Sequence, residues 1–422
     1  MPDNLVCGID IGSTKIATAI AIKSSEEKEM RIIGFNTTPS RGVKKGLIVD
    51  IDQVTEAVEE SIEKAERMVG QKINSAVTAV GGPHISSLNS HGVVAVTNPQ
   101  GEIEEDDVNR VVEAARAISL STTRQIIDVS AREYIVDGQE GIKNPIGMSG
   151  VRLEVDTHII TASLTNLKNI DRCLSDLGIE NDGFVFSGMA SAEAVLTDTE
   201  EELGAVLVDI GGGKIDMCLF ADGALSYSAS IPIGAKHITN DIAVGLRISL
   251  ESAEKIKLFL SRNLRGRRND KKKVEDLDLS ELNLPESLNG VSIRTIVDGI
   301  IGARLEEIYK LIAEEIEKSG FGQSVPSGLV VTGGGSLTVG IVETGRKVVG
   351  LPLRVGIPSN VTGLLDEIID PQYATTVGLI LKGRKNIINQ ETGVIKFGKV
   401  LKSFSIGNSL TKIKDMIKQF IP

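Results

Sequence analysis

The sequence predicts an α/β protein built from two related halves that close on a ligand. Three observations carry this reading. Strand and helix patterns alternate along the 422 residues, as layered α/β architectures require. One strand-and-turn unit occurs twice. Three glycine-rich turns each follow an apolar strand.

The alternation begins at once. LVCGIDIG reads as a buried strand ending in a glycine turn, and KIATAIAI and MRIIGFNTT continue as strands. In DQVTEAVEESIEKAERMV, residues Val54, Val58, Ile62, Ala65 and Val69 recur at helical spacing. Further on, AVLVDIGG and SGLVVTGG read as strands and GIIGARLEEIYKLIAEEIEKSG as a helix. In RNLRGRRNDKKKVEDLDLSELNLPESLNG a basic run precedes an acidic one, the pattern of a solvated excursion within a subdomain.

The repeat lies around two aspartates. IDIGSTKIATAI surrounds Asp10, and VDIGGGKIDMCL surrounds Asp209. Aligning them also aligns Ile11 with Ile210, Gly12 with Gly211, Lys15 with Lys214 and Ile16 with Ile215. Duplication explains the match, and two halves that each offer such a turn imply a ligand clamped between them.

The turns suit phosphate. A glycine-rich strand end lets backbone N–H groups point at anionic oxygens without Cβ interference. Gly12, Ser13 and Thr14 form one expected cradle, with Lys15 adding a positive charge; Gly211, Gly212 and Gly213 form the other. Asp10 and Asp209 would repel phosphate unless a hard cation sat between. Mg²⁺, which keeps several of its waters, meets that need, so both are expected metal positions through water. A third cluster, Gly333, Gly334 and Gly335 in VVTGGGSLTVG, allows close approach of a flat base or ribose. Neither a Walker loop nor a Rossmann fingerprint is present.

Composition narrows the function classes. A net charge of −11 and the absence of Trp disfavour nucleic-acid binding. Cys7, Cys173 and Cys218 are widely spaced, which fits a reduced cytosol. His84, His91, His158 and His237 lack metal-ligand spacing. No signal peptide and no membrane-spanning run is expected.

The C-terminal segment SIGNSLTKIKDMIKQFIP is amphipathic. At 100° per residue, Ile406, Leu410, Ile413, Met416, Ile417, Phe420 and Ile421 fall within an arc of roughly 140°. Lys412, Lys414 and Lys418 fall outside that arc. From Lys399 onward there are five lysines against one acidic residue, Asp415. Such a helix is expected to lie on an anionic membrane surface, with lysine stems reaching toward headgroups.

These motifs, in this order, resemble the actin, heat-shock chaperone and sugar kinase ATPase superfamily. GIDIGSTK is similar to its first phosphate motif, VLVDIGGGKID to its second and VVTGGGS, ending at Ser336, to its adenosine motif. MASAEAVL and DPQYATTVGLIL resemble its two connecting helices. Within the superfamily, EYIVDGQEGIKNPIGMSGVRLEVDTHII, IPIGAKHITNDIAVGL and DPQYATTVGLIL resemble the bacterial cell-division family FtsA, over nearly the whole chain.

The resemblance implies an actin-like two-domain ATPase fold, α/β with duplicated halves, one standard subdomain replaced by an inserted one, and a C-terminal amphipathic helix. Residues 1–83 and 161–196, with 374–388, are the expected first core half, and 84–160 the insertion. Residues 197–235 and 305–373 are the second core half, and 236–304 its outer subdomain. A linker, 389–405, leads to the membrane helix, 406–422. The resemblance further implies ATP and Mg²⁺ as ligands, contacts from Glu254 and Lys257 to the nucleoside, and a filament of copies of the chain. It also implies tethering of the tubulin-like protein FtsZ to the cytoplasmic face of the membrane at the division site. The FtsZ C-terminal peptide would dock on the outer subdomain, near Arg294 and Arg304.

Two departures stand out. Lys214 occupies the place of the usual Thr, where it either neutralises phosphate or perturbs nucleotide affinity. Ser187 stands where many actin-like ATPases have a Glu that positions water. A hydroxyl is a poor general base, so hydrolysis is expected to be slow. The rival readings are a small-molecule kinase of the same fold and PilM, an FtsA-like adaptor of pilus machinery.

Overall fold

The computed structural model describes residues 5–23, 29–264, 277–286, 288 and 292–391. The membrane helix expected at 406–422 lies outside the described residues, as does most of the expected linker.

The first half opens with β1 (Leu5–Ile11), β2 (Lys15–Lys23) and β3 (Met30–Pro39), then a small hairpin, β4 (Val43–Lys44) and β5 (Leu47–Ile48). Helix α1 (Ile51–Val69) follows, then β6 (Ser75–Val80). The Asp50 side chain caps α1 by accepting from the Gln53 N–H, and Gly70, at φ 77°, ends it. The chain then departs through β7 (Ser86–Ala95), α2 (Glu105–Arg116), β8 (Arg124–Val136), β9 (Gln139–Ile142) and β10 (Arg152–Ser163). It returns with α3 (Leu164–Asp176), β11 (Glu180–Phe186), α4 (Ser187–Val195) and α5 (Asp198–Leu203).

The second half comprises β12 (Ala205–Ile210), β13 (Ile215–Ala221), β14 (Ala224–Ile231), α6 (Ala235–Leu246) and α7 (Leu250–Leu264). The helix expected from Gly299 begins inside a π-helical stretch, Thr295–Ile301, that runs into α8 (Gly302–Ser319). Strand β15 (Leu329–Thr332), α9 (Ile341–Val349), β16 (Leu353–Val355), β17 (Val361–Gly363), α10 (Leu365–Ile368) and α11 (Ala374–Glu391) complete the described chain.

The duplication is visible in the sheets. The first has the order β11-β6-β1-β2-β3-β17 and the second β14-β13-β12-β15-β16. From the β3 and β14 sides, each runs through two antiparallel pairings and then a parallel one: β1 pairs with β6 as β12 pairs with β15. Central strands are apolar on both faces because helices cover both sides. Ile9, Ile16 and Ile20 anchor the first core, and Val208, Ile215 and Tyr309 the second.

The departure between β6 and α3 forms its own sheet, β7-β10-β8-β9, with α2 against it over Val111, Ala115, Leu153 and Val155. This unit also bonds to the second half. Ser87 Oγ donates to the Ser228 carbonyl at 2.7 Å and Asn89 Nδ2 to that of Ser226 at 3.3 Å.

Helices α4 and α11 cross where the halves meet. A Cβ on Gly378 would lie 1.7 Å from the Ala190 carbonyl oxygen, so only glycine permits this crossing. Among the described residues no helix is long and apolar enough to span a membrane.

Candidate functional site

The two aspartate turns have the same geometry. The Gly12 N–H donates to the Lys15 carbonyl and the Gly211 N–H to that of Lys214, both at 3.0 Å. Each closes the hairpin between two antiparallel strands, β1–β2 and β12–β13. The turns face each other. A Cβ on Gly212 would meet Thr14 Cγ2 at 2.3 Å, and one on Gly213 would meet Ser13 Oγ at 2.8 Å. Both turns line a cavity of about 740 Å³, together with Asp10, Asp209 and residues of α6 and α7. That is the size of a small-molecule site.

The third glycine cluster closes another wall, with Gly333, Gly334 and Gly335 lining the cavity. Gly333 has φ 80°, and a Cβ there would reach 2.2 Å from Asp209 Oδ1. Ser336 does not line the cavity. It is fully buried, and its hydroxyl donates to the Gly333 carbonyl at 2.8 Å, fixing the turn. Glu254 and Lys257 share one face of α7, both line the cavity, and they pair at 2.7 Å. Lys257 also donates to Thr239 Oγ1 on α6 at 2.9 Å.

The two aspartates differ in environment. Asp209 Oδ2 accepts from Ser191 Oγ on α4 at 2.5 Å and from Thr375 Oγ1 on α11 at 2.9 Å. Burial raises its pKa against the pull of those hydroxyls and Lys214. Asp10 has no hydrogen-bond partner among the described residues. Burial pushes its carboxyl up to about 6; Lys214 opposes the rise and Asp209 adds to it. An under-partnered carboxylate beside anion-binding turns fits a hard cation better than it fits bare phosphate. Among the described residues no cluster of three or more ligating side chains could cage a metal. Mg²⁺ bound mainly by phosphate and water needs none.

The lysines divide in the same way. Lys15 Nζ donates to Gln372 Oε1 at 2.8 Å and sits 4.4 Å from the Tyr373 ring centroid. Burial lowers its pKa to about 8, with Asp10 opposing. Lys214 is paired with Asp216 and donates to Ser187 Oγ at 3.0 Å. Burial pulls its pKa down, but Asp216 and the other acids outweigh that and raise it. The two positions that depart from the superfamily pattern, Lys214 and Ser187, are therefore in direct contact.

Several cavity residues escaped the sequence reading. Asp216, Lys236, Thr239, Gln372 and Thr375 line the cavity. Asp216 left a signal: it is a carboxylate inside an otherwise apolar strand, opposite Asp209 in the ladder. Lys236, Thr239, Gln372 and Thr375 lie in IPIGAKHITNDIAVGL and DPQYATTVGLIL, stretches that carry the family resemblance, but nothing in those stretches alone marks them as cavity residues.

The proposed docking arginines lie elsewhere. Arg304 makes a two-pronged pair with Asp241, at 2.5 and 2.8 Å, and its third nitrogen reaches Glu307 at 2.6 Å. Arg294 is exposed and lies 3.6 Å from Asp298.

Paired sheets of common order, with turns facing across a cavity, define the actin-like ATPase fold. A solved structure titled PilM-PilN type IV pilus biogenesis complex superposes with a TM-score of 0.63 at 15% identity, covering 90% of this chain and 98% of that one. MreB5 of Spiroplasma citri bound to ADP superposes with a TM-score of 0.54 at 13% identity, covering 92% and 99%. These likenesses concern the fold alone.

Sequence comparison is more specific. The family model described as the SHS2 domain inserted in FtsA matches residues 82–161. That for cell division protein FtsA matches residues 206–378. Cell division protein FtsA of Pseudomonas aeruginosa is 36% identical over 90% of this chain and 89% of its own length. The Escherichia coli protein of that name is 33% identical over 93% of each. The chain belongs to the FtsA family of cell-division proteins.

Proposed function

We propose that this chain binds ATP with Mg²⁺ in the cavity between its halves, polymerises on the cytoplasmic face of the membrane at the division site, and tethers FtsZ filaments there. The observation that carries the nucleotide part is the pair of facing turns, Gly12–Lys15 and Gly211–Lys214, at one cavity. Their backbone N–H groups would hold the phosphates. The wall of Gly333, Gly334 and Gly335 would take the base and ribose, with Glu254 and Lys257 beside them. Asp10 would hold Mg²⁺ through water, and Asp209 would do so only through the oxygen left by Ser191 and Thr375. Mg²⁺, when bound, neutralises phosphate charge against the aspartates.

ATP acts in this account as a structural ligand for polymerisation. Ser187 is bonded to Lys214, and Asp216 is held by Lys214 and by Ser230 at 2.6 Å. Asp10 is the cavity carboxylate left without a hydrogen-bond partner among the described residues, and in this reading it serves Mg²⁺ rather than the attacking water, so turnover is slow. The same commitment of Asp216 counts against a small-molecule kinase. The PilM-like reading has support from the fold, but the FtsA relatives at 33–36% identity favour division.

The basic amphipathic segment 406–422 is the proposed anchor, and residues 236–304 the proposed docking site for the FtsZ C-terminal peptide. Because Arg304 is already paired with Asp241, an acidic peptide would have to share or displace that pairing.

The test is co-sedimentation with anionic liposomes and ATP, using the full chain and one truncated after Gly407, with and without FtsZ. The full chain alone should pellet and carry FtsZ with it. Equal pelleting of the truncated chain contradicts the anchor, and a full chain that pellets without FtsZ contradicts the tether.

A further inference from the structure

Four lysines line the cavity: Lys15, Lys214, Lys236 and Lys257. Two have their charge matched in place, Lys214 by Asp216 and Lys257 by Glu254. Lys15 and Lys236 have no carboxylate in salt-bridge contact among the described residues. Lys15 belongs to the first turn itself. Lys236 comes from the other half and belongs to neither turn.

Its position is unusual. Lys236 is the second residue of α6, and its backbone N–H donates to the Gly212 carbonyl at 2.9 Å. The preceding Ala235 N–H donates to the Gly211 carbonyl at 2.9 Å. The helix start is thereby strapped to the second turn. The Lys236 side chain then crosses the cleft, and Nζ donates to the Ser13 carbonyl of the first turn at 2.6 Å. One residue thus bonds both turns, through its backbone on one side and its ammonium on the other.

We propose that Lys236 is a phosphate-binding residue of this cavity, which selects phosphorylated nucleotides over the bare nucleoside and couples the bound anion to closure of the two halves. This rests on the nucleotide reading above and adds to it a residue outside both glycine turns. An ammonium has three donors. It can keep the Ser13 carbonyl and offer the others to a phosphate oxygen, a stronger, charge-assisted partner. Polyphosphate then draws α6 and the first turn onto one anion, while adenosine offers Lys236 nothing.

The experiment is equilibrium binding of ATP, ADP and adenosine, each with Mg²⁺, to the wild-type full chain and to Lys236→Gln and Lys236→Arg. Glutamine retains an N–H for the Ser13 carbonyl but removes the charge. Lys236→Gln is expected to lose about ten- to a hundredfold in affinity for ATP and ADP, the scale of one charge-assisted hydrogen bond, with adenosine unchanged. Lys236→Arg should retain most of the affinity. An equal loss for all three ligands would make Lys236 a structural tie and overturn the assignment, as would no loss for any. If the wild-type chain binds none of the three, the nucleotide reading itself fails; if it binds them and only the charge dependence is missing, that reading stands and the Lys236 assignment alone falls.

Discussion

The Ser230 hydroxyl donates to Asp216 Oδ1 at 2.6 Å and accepts from the Gly82 N–H at 3.1 Å. Gly82 stands where the chain leaves the first sheet for the inserted one, and Asp216 lines the cavity. One side chain of the second half thus satisfies both the root of the insertion and a cavity carboxylate. Ser230→Ala leaves a buried carboxylate one donor short and an amide without its acceptor. It should cost roughly 1–3 kcal/mol of stability, read as a lower denaturant midpoint at unchanged slope.

Asp10 gives a pH signature. Its folded pKa, about 6, lies above the ordinary 3.8. Its contribution to stability is present at low pH and is lost as pH rises from about 4 through 6. Asp10→Asn should therefore make the ligand-free chain more stable at pH 7, by on the order of 3 kcal/mol, and leave it little changed at pH 4. The same variant should lose the Mg²⁺-dependent part of nucleotide affinity. Thermal unfolding at both pH values and nucleotide binding with and without Mg²⁺ check the two halves of this prediction.

His158 acts in the opposite sense. It is 1% exposed; Nδ1 donates to Asn89 Oδ1 at 2.7 Å, and Nε2 accepts from the Ser228 hydroxyl at 3.0 Å. Both bonds suit the neutral ring. Burial, aided by Arg132, pulls its pKa down from 6.5 to about 4. The unfolded chain takes up a proton there first, so stability falls as pH drops from about 6.5 toward 4. The loss is on the order of 3 kcal/mol for this group. His158→Gln should flatten that decline, leaving the share of His84, which is also held near 4.

The crossing of α4 and α11 has no room for a side chain at Gly378. In an ordinary helix, Gly→Ala is stabilising by about 1 kcal/mol. Here Gly378→Val should destabilise by about 3 kcal/mol or more, because the clash is with backbone. Chemical denaturation reads the difference, and a neutral result would mean that the helices do not approach as closely as described.

The sequence disclosed features that depend on local chemistry. The repeated turn was legible because the tight connection after β1 and β12 requires glycine, and buried strands around it require Ile and Val. The same logic located the wall at Gly333. Glu254 and Lys257 were legible only as a helical pair brought to notice by family resemblance. What stayed hidden depends on topology. Nothing near Asp209 in sequence announces that Ser191 and Thr375 will close on it from two different helices. Nothing near Lys236 announces the Ser13 carbonyl, more than two hundred residues earlier. The resemblance implies Arg304 as a docking cation, and in the fold Asp241 already pairs with it. Ser336 read as part of the site, yet its hydroxyl serves the turn that carries the site.

In the proposed function, a nucleotide held between the facing turns sustains a membrane-bound scaffold for FtsZ. The most direct test of that function is the amount of FtsZ carried down with anionic liposomes by the full chain, measured with ATP and Mg²⁺, without nucleotide, and with Gly212→Val in the presence of ATP. A Cβ at residue 212 meets Thr14 at 2.3 Å, so that variant should no longer close its turns on phosphate. FtsZ should appear in the pellet with ATP and the wild-type chain, and little should appear in the other two cases. Equal recruitment in all three would contradict the proposed function, since the cavity would then have no part in the tether.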